Sequence, residues 1–147
     1  MTLYLDTSAF IKLYVAEPGA ESVRVAVAHA LTLHTHLITY AEMRAALARL
    51  HRAGRETAAS HRQHLREFER DWQALAIIVP DERMMRRAGD LAEQIGLRGY
   101  DSVHLAAVES LVIDRRHPVH FASFDDALNV AAAELGLRTL AHAAPRR

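Results

Sequence analysis

Short apolar runs alternate with helix-forming segments from one end of this chain to the other. That alternation narrows the fold to one class. LYLD (3–6), the stretch from Leu31 to Ile38, LAIIV (75–79), Val119 to Ala122 and Arg138 to Leu140 read as strands. Helices are predicted over Thr7 to Val15, Ala20 to Ala30, Thr39 to Ala53, Arg55 to Ala74, Asp81 to Ile95, Asp101 to Leu111 and Asp125 to Leu135. In the Thr39 to Ala53 segment, Tyr40, Met43, Ala46, Leu47 and Leu50 recur at helical spacing, which marks one apolar face. Gly54, Gly96 and Gly136 stand where helices should stop, as glycine does past a helix end. LAIIV, stopped by Pro80, reads as a buried strand. Strands and helices in alternation with short connections predict an α/β three-layer sandwich, with a mostly parallel central sheet flanked by helices.

The chain has 147 residues, enough for one domain over 1–147 with one sizeable core. The tail from about residue 141, AHAAPRR, is expected to fray. Cysteine is absent, which removes disulfides, thiolate metal sites and thiol nucleophiles. No apolar run approaches the roughly 20 residues of a membrane span, and MTLYLDTS lacks the basic and apolar regions of a signal peptide. A cytoplasmic protein without membrane contact is expected. Basic and acidic side chains balance at 18 each, so net charge speaks neither for nor against nucleic acid. Lys12 is the only lysine; the other 17 basic side chains are arginines, the better bidentate ligands of phosphate.

Four carboxylates stand where a strand or loop hands over to a helix: Asp6 in LYLDTSAF, Glu42 in LITYAEMRAAL, Asp101 in RGYDSVHLAA and Asp125 in HFASFDDAL. Singly, each is read more simply as a helix start. Asp6, Asp101 and Asp125 can cap the helices that follow. Thr39-x-x-Glu42 and Ser123-x-x-Asp126 match capping boxes. Together the balance changes, because strand-to-helix junctions of a parallel sheet gather on one edge. Two carboxylates about 4 Å apart repel by roughly 4 kcal/mol at an effective dielectric near 20. A divalent cation turns that repulsion into binding. Mg²⁺ takes oxygen ligands and pairs carboxylates with substrate phosphates, so the pattern suits phosphodiester hydrolysis. Thr7, Ser8 and Ser123 lie close enough in sequence to orient the acids.

The remaining polar features read more plainly. His34-x-His36 and His61-x-x-His64 have ligand-like spacing but are expected to be surface or partly buried histidines. His104 follows Asp101 by three residues, on the same helix face, and is read as packing beside the acids. Arg49, Arg52, Arg55, Arg62, Arg66 and Arg70 form either a solvated face or a phosphate track. Tyr14, Tyr40 and Tyr100 offer rings for base stacking, though their apolar contexts suit a core.

LDTSAFIKLYVAEPG, TYAEMRAALARL, GYDSVHLAAV and FASFDDALNVAAAELGL, in this order, resemble the PIN-domain ribonucleases, and in particular the VapC-like toxins of bacterial toxin–antitoxin modules. The resemblance runs from Leu3 to Leu137. It implies a metal-dependent endoribonuclease that uses Mg²⁺ or Mn²⁺, cuts RNA, forms a homodimer and is silenced by a cognate antitoxin. By the same resemblance Asp6, Glu42, Asp101 and Asp125 are the metal-binding, catalytic acids. The doubled Asp125-Asp126 leaves the fourth position open; the HFASFD context favours Asp125, with Asp126 as the helix-capping acid. Two other readings compete. One is a structure-specific DNA nuclease, disfavoured by the short chain. The other is a metal-free α/β binding module whose acids only cap helices. A haloacid-type phosphatase is disfavoured because Thr-Ser follows Asp6.

Overall fold

The computed structural model describes residues 1–112 and 117–140; the tail from residue 141 lies outside them. Five strands are found there: β1 (Thr2–Leu5), β2 (Thr32–His36), β3 (Ala76–Ile78), β4 (Val119–Ala122) and β5 (Arg138–Thr139). They form one sheet in the order β3-β2-β1-β4-β5, and each neighbouring pair is parallel. Helices α1 (Thr7–Phe10), α2 (Ala20–His29), α3 (Ile38–Arg52), α4 (Ala58–Trp72), α5 (Glu82–Ile95), α6 (Gly99–Val112) and α7 (Asp126–Glu134) make the connections. A 3-10 turn over Ile11–Leu13 prolongs α1.

The pleat of β1 divides the core in two, because successive side chains of a strand face opposite sides of the sheet. Leu3 and Leu5 pack on one side with Phe10, Met43, Leu47 and Phe68, from α1, α3 and α4. Tyr4 packs on the other with Leu91, Leu105, Phe121 and Leu128. The β1–β4 register sets Tyr4 beside Phe121 and Leu5 beside Ala122, and each pair falls in the same half of the core. This is the three-layer sandwich expected from the alternation. Leu3, Tyr4 and Leu5 are wholly buried, as the middle strand of a covered parallel sheet must be.

LAIIV departs from expectation. Its strand, β3, is an edge strand, with Ala76 exposed and Ile77 and Ile78 half-buried. An apolar run cannot say whether a strand is central or at an edge, since that depends on which neighbours arrive later in the chain. Helix starts also moved. Helix α3 begins at Ile38, with Leu37 in the cap position and no side-chain cap. Thr39 therefore lies inside the helix, wholly buried, where its hydroxyl accepts from Thr35 at 2.8 Å. Helix α6 begins at Gly99, so Asp101 is a first-turn residue and not a cap.

β1 sits between β2 and β4, so the chain leaves it toward one side of the sheet and later returns on the other. That reversal opens a crevice at the carboxyl ends of β1 and β4, where α/β sheets bind ligands. One glycine shapes its rim. Gly19 has φ +89, and a Cβ placed there would lie 2.2 Å from Cε1 of Phe124, in the loop leading to Asp125. Both the backbone conformation and the space demand glycine. Gly19→Ala is expected to destabilise the protein by about 2 kcal/mol or more, read as a lower urea midpoint. An unchanged midpoint would show that neither the Phe124 ring nor the left-handed backbone constrains this position.

Candidate active site

Each acid reaches the crevice by a different local device. Asp6 follows β1 directly; its amide donates to the carbonyl of Ala122 at 3.1 Å, which pins it to the β1–β4 seam. Its Oδ1 accepts from the Ala9 amide at 2.9 Å and from the Ser8 hydroxyl at 2.7 Å. It is thus an N-cap, as anticipated, and nearly buried at 4% exposure. Burial pushes its carboxyl above the ordinary value, and the charge of His104 and hydrogen bonds from Ser123, Ser8 and Ala9 offset only part of that push. A buried carboxylate whose charge is under-compensated is a strong ligand for a cation.

Glu42 stands in the second turn of α3 and takes no part in a capping box. Its Oε1 accepts from the Thr7 hydroxyl at 2.8 Å and from Nε2 of His104 at 2.7 Å. Burial raises this carboxyl, but the hydrogen bond and charge of His104 and the bond from Thr7 outweigh it, so its pKa lies below the ordinary value. Glu42 is held ionised.

Asp125 caps α7 by accepting from the Leu128 amide through Oδ1 at 2.9 Å. The Ser123 hydroxyl accepts from the Asp125 amide at 3.1 Å. Asp125, not Ser123, is therefore the cap, and exposed Asp126 is merely the first helical residue, outside any capping box. A second link ties this loop to Asp6: the Phe124 amide donates to the Ser8 hydroxyl at 2.8 Å while Ser8 donates to Asp6. Asp101 arrives differently. Helix α6 runs toward the start of β4, so its first turn lies at the opposite, carboxyl edge. There Arg98 donates through Nε to Oδ2 of Asp101 at 2.9 Å, and its Nη2 lies 3.6 Å from Oδ2 of Asp125.

The four acids thus share one edge and one network of neighbours. They do not close into a ready chelate: among the described residues no three histidine or acidic side chains form a group able to hold a metal ion. A guanidinium lies between Asp101 and Asp125 instead.

The sequence reading placed His104 beside the acids but gave it too small a part, and it missed Arg98. His104 does more than pack. Its ring is buried and bridges Glu42 through Nε2 and the hydroxyl of Tyr4 through Nδ1, at 2.7 and 2.8 Å. Burial, then the nearby charge of Asp6, push the Tyr4 phenol well above its ordinary value, so it keeps its proton. Arg98 was the omission; its three-residue spacing from Asp101 was the available signal.

Of the two histidine pairs, His34, His61 and His64 are partly buried as expected, but His36 is fully buried. His36 is buried, accepts from the Ile38 amide and titrates at about 4, held down first by burial and then by the charge of His104. His61 and His64 both bond to Glu56. Tyr14 and Tyr40 belong to the core cluster around Phe68, whereas Tyr100 is 64% exposed, against the expectation of core packing. All six of these arginines are exposed, five on α3 and α4 and Arg55 in the turn between them. The run starts at Arg49, about 10 Å along the helix axis from Glu42.

A central parallel sheet with acids along its carboxyl edge is the architecture of a PIN domain, and the PIN domain family model matches residues 3–134. Ribonuclease VapC45 of Mycobacterium tuberculosis is 32% identical over 97% of this chain and 90% of its own length. The chain belongs to the PIN-domain family and, within it, to the VapC ribonucleases. Solved structures with the same fold include PAE2754 from Pyrobaculum aerophilum, with a TM-score of 0.70 at 18% identity over 95% of this chain and 92% of that one. VapBC-1 from nontypeable Haemophilus influenzae has a TM-score of 0.62 at 19% identity, over 95% and 96% of the two chains.

Proposed function

We propose that this ribonuclease hydrolyses RNA phosphodiester bonds through a divalent cation, Mg²⁺ or Mn²⁺, held by Asp6, Glu42, Asp101 and Asp125. It acts as the toxin of a toxin–antitoxin pair, in the cytoplasm, as a homodimer, and its antitoxin silences it by covering the acidic edge. The observation that carries the reading is the gathering of four carboxylates at the sheet's switch point in a VapC-family chain. Two of the four cap helices, but Glu42 and Asp101 cap nothing, which speaks against the cap-only alternative. The helices that are described include none long and apolar enough to cross a membrane.

The donor set fits a hard dication: every candidate ligand is a carboxylate oxygen, the preference of Mg²⁺ and Mn²⁺. The arginine fork now between Asp101 and Asp125 marks a place where positive charge is already favoured. When bound, the ion supplies Lewis acidity toward the scissile phosphate and lowers the pKa of water. The chain's own residues do the rest. Ser8 and the Ala9 amide fix the orientation of Asp6. Thr7 and His104 fix Glu42 and keep it ionised. Leu128 takes one oxygen of Asp125 and leaves Oδ2 turned toward Arg98.

RNA cleavage in Mg²⁺ buffer with and without EDTA tests the core of this reading; undiminished cleavage in EDTA would refute it. The fourth ligand is tested by a pair of variants. Asp125→Asn keeps a capping side chain and is expected to lose roughly 10- to 100-fold in rate, the scale of a disturbed metal site. Exposed Asp126→Asn should stay within about twofold, as surface changes do. The opposite ranking reassigns the fourth acid.

A further inference from the structure

We propose that Arg98 is a resident counter-cation of the acidic edge, which a divalent ion must displace from Asp101 and Asp125 before it binds; this rests on the metal reading above. The guanidinium divides its fork between carboxylates on two different elements, Nε to Oδ2 of Asp101 at 2.9 Å and Nη2 to Oδ2 of Asp125 at 3.6 Å. Oδ1 of Asp125 is occupied by the Leu128 amide. Oδ2, the oxygen that Arg98 faces, is therefore the one Asp125 can offer a metal. An arginine and a dication cannot both use it, because the cations repel and the lone pairs are shared.

Among the described residues, these two carboxylates are the partners of the Arg98 side chain. Its side chain is 81% exposed, while those of Asp101 and Asp125 are 20% and 31% exposed. It can swing into solvent without repacking the core, which suits a removable counterion better than a structural brace. Without metal it screens the mutual repulsion of the two acids. With metal it is released beside the site, within reach of a substrate phosphate, the anion an arginine fork binds well.

Mn²⁺ calorimetry on the wild-type chain, Arg98→Ala and Arg98→Lys provides the test. Removing a competing exposed ion pair is expected to tighten Mn²⁺ binding roughly two- to fivefold in Arg98→Ala. Arg98→Lys, charged but without the fork, falls between. The gap between variants narrows at high salt, where an exposed pair is screened. Without metal, Arg98→Ala melts lower than wild type, and saturating Mn²⁺ erases the difference. Equal or weaker Mn²⁺ affinity in Arg98→Ala, with the wild type binding normally, overturns the counter-cation role and leaves the metal reading standing. Absence of binding heat and of any Mn²⁺-induced thermal shift in all three proteins overturns the metal reading, and this proposal with it.

Discussion

Asp6→Asn is expected to abolish RNA cleavage while raising the melting temperature of the metal-free protein. Both effects come from one carboxylate. Asp6 is 4% exposed, and burial holds its pKa above the ordinary value. A carboxyl raised in the folded state penalises folding wherever it must ionise, fully above its folded pKa and no longer below its unfolded pKa. The penalty is present at neutral pH and fades on acidification through that window. Asparagine keeps the oxygen that accepts from the Ala9 amide and Ser8, and it is as good an N-cap as aspartate. It deletes the charge and exchanges the second carboxylate oxygen for an amide donor. A gain on the order of 1 kcal/mol corresponds to about 2–4 °C in a chain of this size. The same change removes the charge proposed to anchor the metal. Losing about 4 kcal/mol of transition-state stabilisation is about 10³ in rate. Scanning calorimetry across pH, beside a cleavage assay, checks both halves. A variant that cuts RNA within tenfold of wild type, or melts lower at neutral pH, would sink the account.

His104→Ala is expected to damage stability and activity together. The ring is buried between the Tyr4 hydroxyl and Glu42. Truncation leaves a buried phenol without its partner and a void in the core, together about 3 kcal/mol, or on the order of 10 °C in melting temperature. Glu42 loses the bond that keeps its pKa depressed, so its carboxyl should titrate higher, a shift that carbon-detected NMR can follow. The sign for stability follows. A depressed folded pKa adds stability above the unfolded pKa, and that increment disappears as pH falls through the folded value. The variant should therefore show a shallower acid-side loss than wild type. Cleavage should fall roughly 10- to 100-fold, as when an orienting partner of a ligand is removed. His104→Gln, whose amide can accept from Tyr4 and donate to Glu42, should recover part of both. If Glu42 titrates identically in the Ala variant, His104 does not orient it.

The legible parts of this fold are those written in local pattern. Strand β4 and helix α2 lie within a residue of their predicted bounds because Val119–Ala122 and the Ala20 segment are bordered by clear turns. Boundaries slipped where capping motifs pointed. Thr39 looks like a cap followed by Glu42, but β2 ends at His36 and the cap of α3 is Leu37, two residues earlier. Thr39 is then more useful bonded to Thr35 inside the core. The three-residue spacing of a capping box is also the spacing of two residues on one helix face, and local sequence cannot separate them.

The four acids were visible because each stands close to a junction where a strand or loop hands over to a helix. Arg98 and His104 were harder to see. A lone arginine before a helix looks like surface, and a histidine amid Val103, Leu105 and Ala106 looks like core. What assigns them is contact across 62 residues from Glu42 to His104 and across the gap between α6 and α7.

Sequence by itself determined the layered α/β class, the sheet-edge acids and the family, because hydrophobic period and strand-to-helix junctions are local properties of the chain. Only the tertiary structure decided that β3 lies at an edge, that His104 spans Tyr4 and Glu42, and that Arg98 lies between Asp101 and Asp125. Those facts depend on which segments the folded sheet brings together, and proximity between distant segments is set by the packing of the whole core.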